Sequence, residues 1–190
     1  KTVGMMNFKF LGMVLLLSLP LMGQAKTILF IGDSLTDGYG VAEEKAYPAL
    51  IGQKIKKELG KEVKIINGSI SGSTTAGVVK RLQWYLSEKP DLLVLALGAN
   101  DGLRGIKVTE SKKQLDAAIE LAQKNKIKVI LAGMKLPPNY GAKYRAEFAK
   151  MYRDLKSQWR LTSVDFLLAG VGGEKELNQS DGIHPNEKGH

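Results

Sequence analysis

The chain has 190 residues, 44% hydrophobic and 25% charged, the balance of one ordinary globular domain; this excludes a fibrous or disordered polymer and argues against a second domain. With no cysteine there is no disulfide framework, thiolate metal site or cysteine nucleophile, and with only two histidines, one of them the last residue, a histidine-built metal site is not expected. The formal net charge of +9 invites a nucleic-acid partner, but Lys54, Lys56 and Lys57 stand beside Glu58, and Lys112, Lys113 and Lys124 beside Glu110 and Glu120. That is the pattern of solvated helix faces, and no base-reading motif accompanies it. Weak attraction to anionic lipid surfaces is the macromolecular contact the charge leaves open.

Residues 1–25 differ in composition from the rest. Lys1 and Lys9 precede or open an apolar run from Phe10 to Met22, which ends in Gly23-Gln24-Ala25. A basic end, a short apolar centre and small residues before a cut predict a secretory signal cleaved after Ala25. The run is short of the ~20 residues of a comfortable span and is interrupted by Pro20. The expected folded domain is therefore 26–190, in the periplasm or outside the cell.

Short β-rich runs then alternate with amphipathic stretches. Strands are predicted at Thr27 to Ile31, Val63 to Asn67, Leu92 to Leu97, Lys128 to Ala132 and Val164 to Leu168. Most are nearly continuous apolar runs, as expected when both faces of a parallel sheet are covered. Between them, Ile51, Ile55 and Leu59 mark a helix that admits Pro48 in its first turn and stops at Gly60. Val78, Val79, Leu82 and Leu86 mark a second helix, stopped before Pro90. Leu115, Ala118, Ile119 and Ala122 mark a third, and Tyr144, Phe148, Tyr152, Leu155 and Trp159 a fourth. The order predicts an α/β fold, a three-layer α/β/α sandwich on a five-stranded parallel sheet with flavodoxin-like strand order 2-1-3-4-5.

In such sheets ligands bind beyond the carboxyl ends of the strands, and four loops there carry polar residues. Gly32-Asp33-Ser34-Leu35 follows the first strand: Ser34 projects a hydroxyl above the sheet edge with backbone N–H groups beside it, or the turn is simply a capped helix start. Gly68 to Thr75 follows the second, where Gly72 lets a backbone N–H approach a ligand, or merely gives a flexible helix entry; the loop lacks the Gly-Lys-Ser/Thr ending of a phosphate cradle. Gly98-Ala99-Asn100-Asp101-Gly102 follows the third, with an amide donor on Asn100 and a carboxylate on Asp101 able to fasten the loop, or a plain Asx turn. Near the end, Asp181-Gly182-Ile183-His184-Pro185 pairs an imidazole with a carboxylate three residues earlier, and Pro185 suits the first position of a helix.

Taken together, the G-D-S-L around Ser34, I-S-G ending at Gly72, G-x-N-D around Asn100 and D-x-x-H from Asp181 to His184 resemble the four blocks of the SGNH hydrolases, the GDSL esterases and lipases. L-G-A-N-D-G-L-R-G from Leu97 to Gly105 and L-P-P-N-Y-G from Leu136 to Gly141 are similar to the bacterial periplasmic arylesterase and multifunctional thioesterase I/lysophospholipase group. The likeness implies the SGNH hydrolase fold over 26–190, Ser34 as nucleophile, His184 as general base and Asp181 orienting it. It also implies an oxyanion hole from the Ser34 and Gly72 N–H groups and the Asn100 amide, with no cofactor and no metal. Relatives continue past the His-Pro segment into a final helix, so the resemblance implies that a chain ending at His190 lacks it.

The expected substrate is a small-molecule ester or thioester, such as an aryl ester, an acyl-CoA-type thioester or a lysophospholipid. Leu103, Ile106, Leu136, Pro137, Pro138 and Tyr140, in the loops after strands three and four, are the candidate lining of an apolar acyl groove, with Arg104 at a basic rim. A carbohydrate O-acetyl esterase with a shallow polar pocket, and an inactive binding protein on the same scaffold, are the rival readings.

Overall fold

The computed structural model describes residues 25–190; the expected signal segment, apart from Ala25, lies outside the described residues. Five strands form one sheet: β1 (Lys26–Gly32), β2 (Val63–Asn67), β3 (Leu92–Ala96), β4 (Lys128–Ala132) and β5 (Thr162–Val164). All neighbours are parallel and the order is β2-β1-β3-β4-β5, the arrangement expected of right-handed crossovers. Register is set by the apolar runs, with Phe30 opposite Asn67 on one side and Val94 on the other, and Gly32 opposite Ala96.

Six helices connect the strands: α1 (Ser34–Asp37), α2 (Tyr47–Leu59), α3 (Val78–Tyr85), α4 (Ala99–Leu103), α5 (Val108–Lys124) and α6 (Ala142–Trp159). Sheet side chains alternate between two faces. Leu29 and Ile31 of β1 and Leu93 and Leu95 of β3 are fully buried in the main core with Leu82 of α3, Leu115 and Ile119 of α5, and Phe148 and Leu155 of α6. On the opposite face, the Phe30 ring meets Tyr47 of α2 edge-on, with centroids 5.7 Å apart. The predicted α2 periodicity is real, yet its stripe is thinly covered: Ile51 and Ile55 are half-buried, and Leu59 is exposed. Gly60 ends α2 in the left-handed region at φ 63°, a conformation that penalises any residue with a Cβ.

Two local expectations are corrected. The fifth strand was expected over Val164 to Leu168, but β5 ends at Val164, and the chain turns back so that the Leu167 N–H donates to the Gly133 carbonyl. The apolar character of Leu167 and Leu168 serves packing against the core from outside the sheet. Pro185 opens no helix. It forms an antiparallel bridge with Asn178, in which the bonds run from Gln179 N–H to the His184 carbonyl and from Asn186 N–H to the Leu177 carbonyl, so the missing proline N–H is not needed. Among the described residues, no helix is long and apolar enough to cross a membrane.

Leu95 lies at the centre of the sheet with no exposure, where truncation leaves a cavity that neighbours fill only in part. Leu95→Ala should lower unfolding free energy by about 2–5 kcal/mol, read as a shift of the urea midpoint at unchanged slope.

Candidate active site

The strand ends place four loops along one edge, and side chains then tie these loops together. After β1, Asp33 caps α1: its Oδ1 accepts the Leu35 N–H at 3.1 Å and its carbonyl accepts the Thr36 and Asp37 N–H groups. The short α1 thus begins at Ser34 and lifts its hydroxyl off the sheet edge. It ends at Gly38, φ 86°, whose N–H, with that of Tyr39, returns to the Ser34 carbonyl.

The imidazole comes from residues 171–190, a segment that braces itself. Asn178 donates from Nδ2 to the Val171 and Glu174 carbonyls at 2.6 and 2.8 Å, and the Asn178–Pro185 bridge closes the loop that contains His184. Within it, Asp181 Oδ1 accepts the Ile183 and His184 N–H groups at 2.8 and 3.0 Å, while Oδ2 lies 2.7 Å from His184 Nδ1. The opposite ring nitrogen, Nε2, is 2.9 Å from Ser34 Oγ. A carboxylate only accepts, so Nδ1 carries the proton toward Asp181 and Nε2 presents a lone pair to the serine.

Gly72 sits at φ 77° in a loop held on either side of its own N–H. Asp37 Oδ2 accepts from the Ser71 N–H and hydroxyl at 3.2 and 2.6 Å, and Arg104 Nη2 donates to the Gly72 carbonyl at 3.0 Å. Asn100, on α4, donates one amide hydrogen to the Ser73 carbonyl at 3.0 Å; the second remains for a ligand. Among the described residues, no backbone carbonyl accepts the Ser34 or Gly72 N–H. Asp101, buried, accepts the Thr75 N–H and hydroxyl at 2.9 and 2.6 Å and the Ser111 hydroxyl at 2.9 Å. It fastens the neighbouring loop and α5, a wider role than the local tie its sequence position suggests.

The structure therefore brings Ser34, Asp181, His184, Gly72 and Asn100 to one edge. Of the expected groove residues, Leu103, Leu136, Pro137, Pro138 and Tyr140 line a cleft of about 720 Å³ that includes Ser34 and His184. Ile106 is not among the residues lining it; its carbonyl accepts the hydroxyl of Tyr144 on α6 at 2.6 Å. Sequence reading missed Met134, Phe166, Leu168 and Ile183, which also line it. The apolar run at 164–168 was the signal for two of them, once it is read as a wall instead of a strand. Lys135 lies 5.1 Å over the Phe166 ring.

Two carboxylates near the serine differ sharply. Hydrogen bonds from the His184 backbone, the His184 ring and the Ile183 backbone lower the Asp181 carboxyl to about 2. Burial raises that of Asp33 to about 6, against weaker lowering by the Leu35 N–H; it is 1% exposed and its Oδ2 has no partner.

Residues 30–190 match the family described as GDSL-like lipase/acylhydrolase. The chain belongs to that family. Among GDSL-like relatives, it is 38% identical to esterase TesA of Pseudomonas aeruginosa over 92% of this chain and 87% of that protein. It is 36% identical to an arylesterase of Vibrio mimicus over 93% and 89%. It is 32% identical to thioesterase 1/protease 1/lysophospholipase L1 of Escherichia coli over 85% and 76%. Its fold superposes on the crystal structure of TesA with a TM-score of 0.80 at 39% identity, covering 85% of this chain and 90% of that one.

The raised Asp33 carboxyl gives this GDSL-like hydrolase a defined stability test. A folded-state value above the unfolded one of 3.8 means that folding favours the proton. The penalty is absent below about pH 4, grows as pH climbs toward 6 and is complete above it. Asp33→Asn keeps a capping oxygen and removes the charge. It should raise stability at pH 8 by on the order of 2–3 kcal/mol at most and leave it unchanged near pH 4, measured by thermal melts across pH.

Proposed function

We propose that this hydrolase cleaves carboxylic esters and thioesters through an acyl-enzyme on Ser34. The observation that carries the reading is the imidazole of His184 held between Ser34 Oγ at 2.9 Å and Asp181 Oδ2 at 2.7 Å. His184 Nε2 takes the hydroxyl proton as Oγ attacks the substrate carbonyl, and Asp181 orients the ring and offsets the charge it acquires. The developing oxyanion accepts from the Ser34 and Gly72 N–H groups and the spare Asn100 amide hydrogen. His184 then protonates the departing alcohol or thiol, and water, deprotonated by the same nitrogen, releases the acid. No step calls for a metal or cofactor.

The relatives named esterase, arylesterase and thioesterase/lysophospholipase support this class of substrate. The cleft wall of Leu103, Met134, Leu136, Pro137, Phe166 and Ile183 suits an apolar acyl or aryl group, which disfavours the shallow polar pocket of a carbohydrate O-acetyl esterase. An inactive binding protein is disfavoured by the serine–imidazole contact, which binding does not require. The basic rim, with Arg104 beside the Gly72 loop, suits transient contact with anionic head groups or thioesters. The signal-like composition of residues 1–25 supports a periplasmic or secreted location for the reaction.

Ser34→Ala should abolish both labelling by a fluorophosphonate and hydrolysis of a short p-nitrophenyl ester; retained turnover in pure variant protein would refute the mechanism. Asn100→Ala should lower kcat by on the order of 10²-fold to 10³-fold, measured on the same ester. Turnover should depend on acyl length across aryl esters, acyl thioesters and lysophospholipids, and a flat response would dismiss the apolar cleft as the acyl site.

A further inference from the structure

Two edges of the His184 ring are held by Ser34 and Asp181; its face is held by something else. The Tyr39 ring lies against it, with centroids 4.7 Å apart and planes tilted by 45°. Tyr39 is 53% exposed, so burying apolar area in a core does not explain the placement. Its backbone, in contrast, is tightly fixed. The Tyr39 N–H donates to the Ser34 carbonyl at 3.1 Å, and its own carbonyl accepts Gln179 Nε2 at 2.6 Å. Gln179 belongs to the loop of the base: its N–H donates to the His184 carbonyl at 2.8 Å and its Nε2 also donates to the Pro185 carbonyl at 2.9 Å.

Glycines on both sides make this possible. Gly38 and Gly40 stand at φ 86° and 80°, and a Cβ on Gly40 would collide with the Gln179 side chain, so the chain reverses on either side of Tyr39 and passes directly under Gln179. One residue thereby connects the turn of the nucleophile to the loop of the base and lays an aromatic face on the imidazole.

We propose that Tyr39 is a positioning residue for His184, acting through its ring face. The inference rests on the reading of Ser34 and His184 given above. Two effects follow from the geometry. The ring blocks rotation of the imidazole out of the Ser34–Asp181 line, on the side where no hydrogen bond restrains it. In addition, an aromatic face within about 6 Å attracts a cation, so it stabilises the imidazolium that exists only after the serine proton has moved. An interaction made with the charged ring and not with the neutral one lowers the barrier without tightening substrate binding. The phenol oxygen takes no part, which separates this role from acid–base chemistry by tyrosine.

The test compares Tyr39→Phe and Tyr39→Leu in the whole chain. Tyr39→Phe should retain kcat within about twofold of the wild type. Tyr39→Leu should lose about 3-fold to 30-fold in kcat, the span of a cation–ring contact of moderate exposure, at unchanged KM, with the fluorophosphonate labelling rate falling in parallel. If Tyr39→Leu proves unfolded by its melting curve, Tyr39→Met carries the same expectation and the same refutation. Wild-type kcat in the folded aliphatic variant overturns the inference. So does a loss confined to KM, which makes Tyr39 a substrate contact, or an equal loss in Tyr39→Phe, which makes the hydroxyl the operative group. These failures are distinct from that of the site itself, which would appear as fluorophosphonate labelling that survives Ser34→Ala or is missing in the wild type.

Discussion

A hydrogen bond between side chains 150 residues apart in the chain lasts only if the backbone on each side is fixed more firmly than the bond is strong. A single such contact contributes about 1 kcal/mol net, far too little to order two loops by itself. Here the order comes from the parallel sheet, whose strands all point one way and deliver their loops to one edge. A second tier of polar ties then joins loop to loop: Asp37 to Ser71, Arg104 to Gly72, Asn100 to Ser73, Asp101 to Thr75 and Ser111. The serine and imidazole meet because everything beneath them is already set.

The same tier explains why charged and polar residues are buried so near the site. Asp101 repays its desolvation with three hydrogen bonds from two elements. Asp33 does not: one oxygen caps α1 and the other has no partner. The turn that presents Ser34 is held at some cost in stability, as is common where a fold serves chemistry ahead of packing.

Much of this arrangement can be read from residue types, because four loops with unusual polar residues all follow strand ends that the fold brings to one edge. A serine after G-D, an asparagine after a buried strand and a carboxylate three residues before a histidine are poor choices for packing, so they stand out. The apolar residues are harder. Val164 to Leu168 reads as a strand apart from Asp165, yet only its first residue is in the sheet, since an apolar segment beside a sheet can equally roof a cleft. Ile106 and Leu103 are alike in sequence terms, yet Leu103, on α4, lines the cleft and Ile106, beyond its end, does not. Tyr39 was invisible for a related reason: its neighbour in space is decided by two reversed glycines and a glutamine 140 residues on.

His184 and Asp181 share one short loop, closed by the bridge between Asn178 and Pro185. Their bond lies within that loop, whereas the contacts of the His184 ring with Ser34 and Tyr39 and the bond from Gln179 to the Tyr39 carbonyl cross to the turn after β1. On the proposed mechanism, displacing one loop against the other would cost those crossing contacts while leaving the carboxylate–imidazole bond, and with it the tautomer, in place.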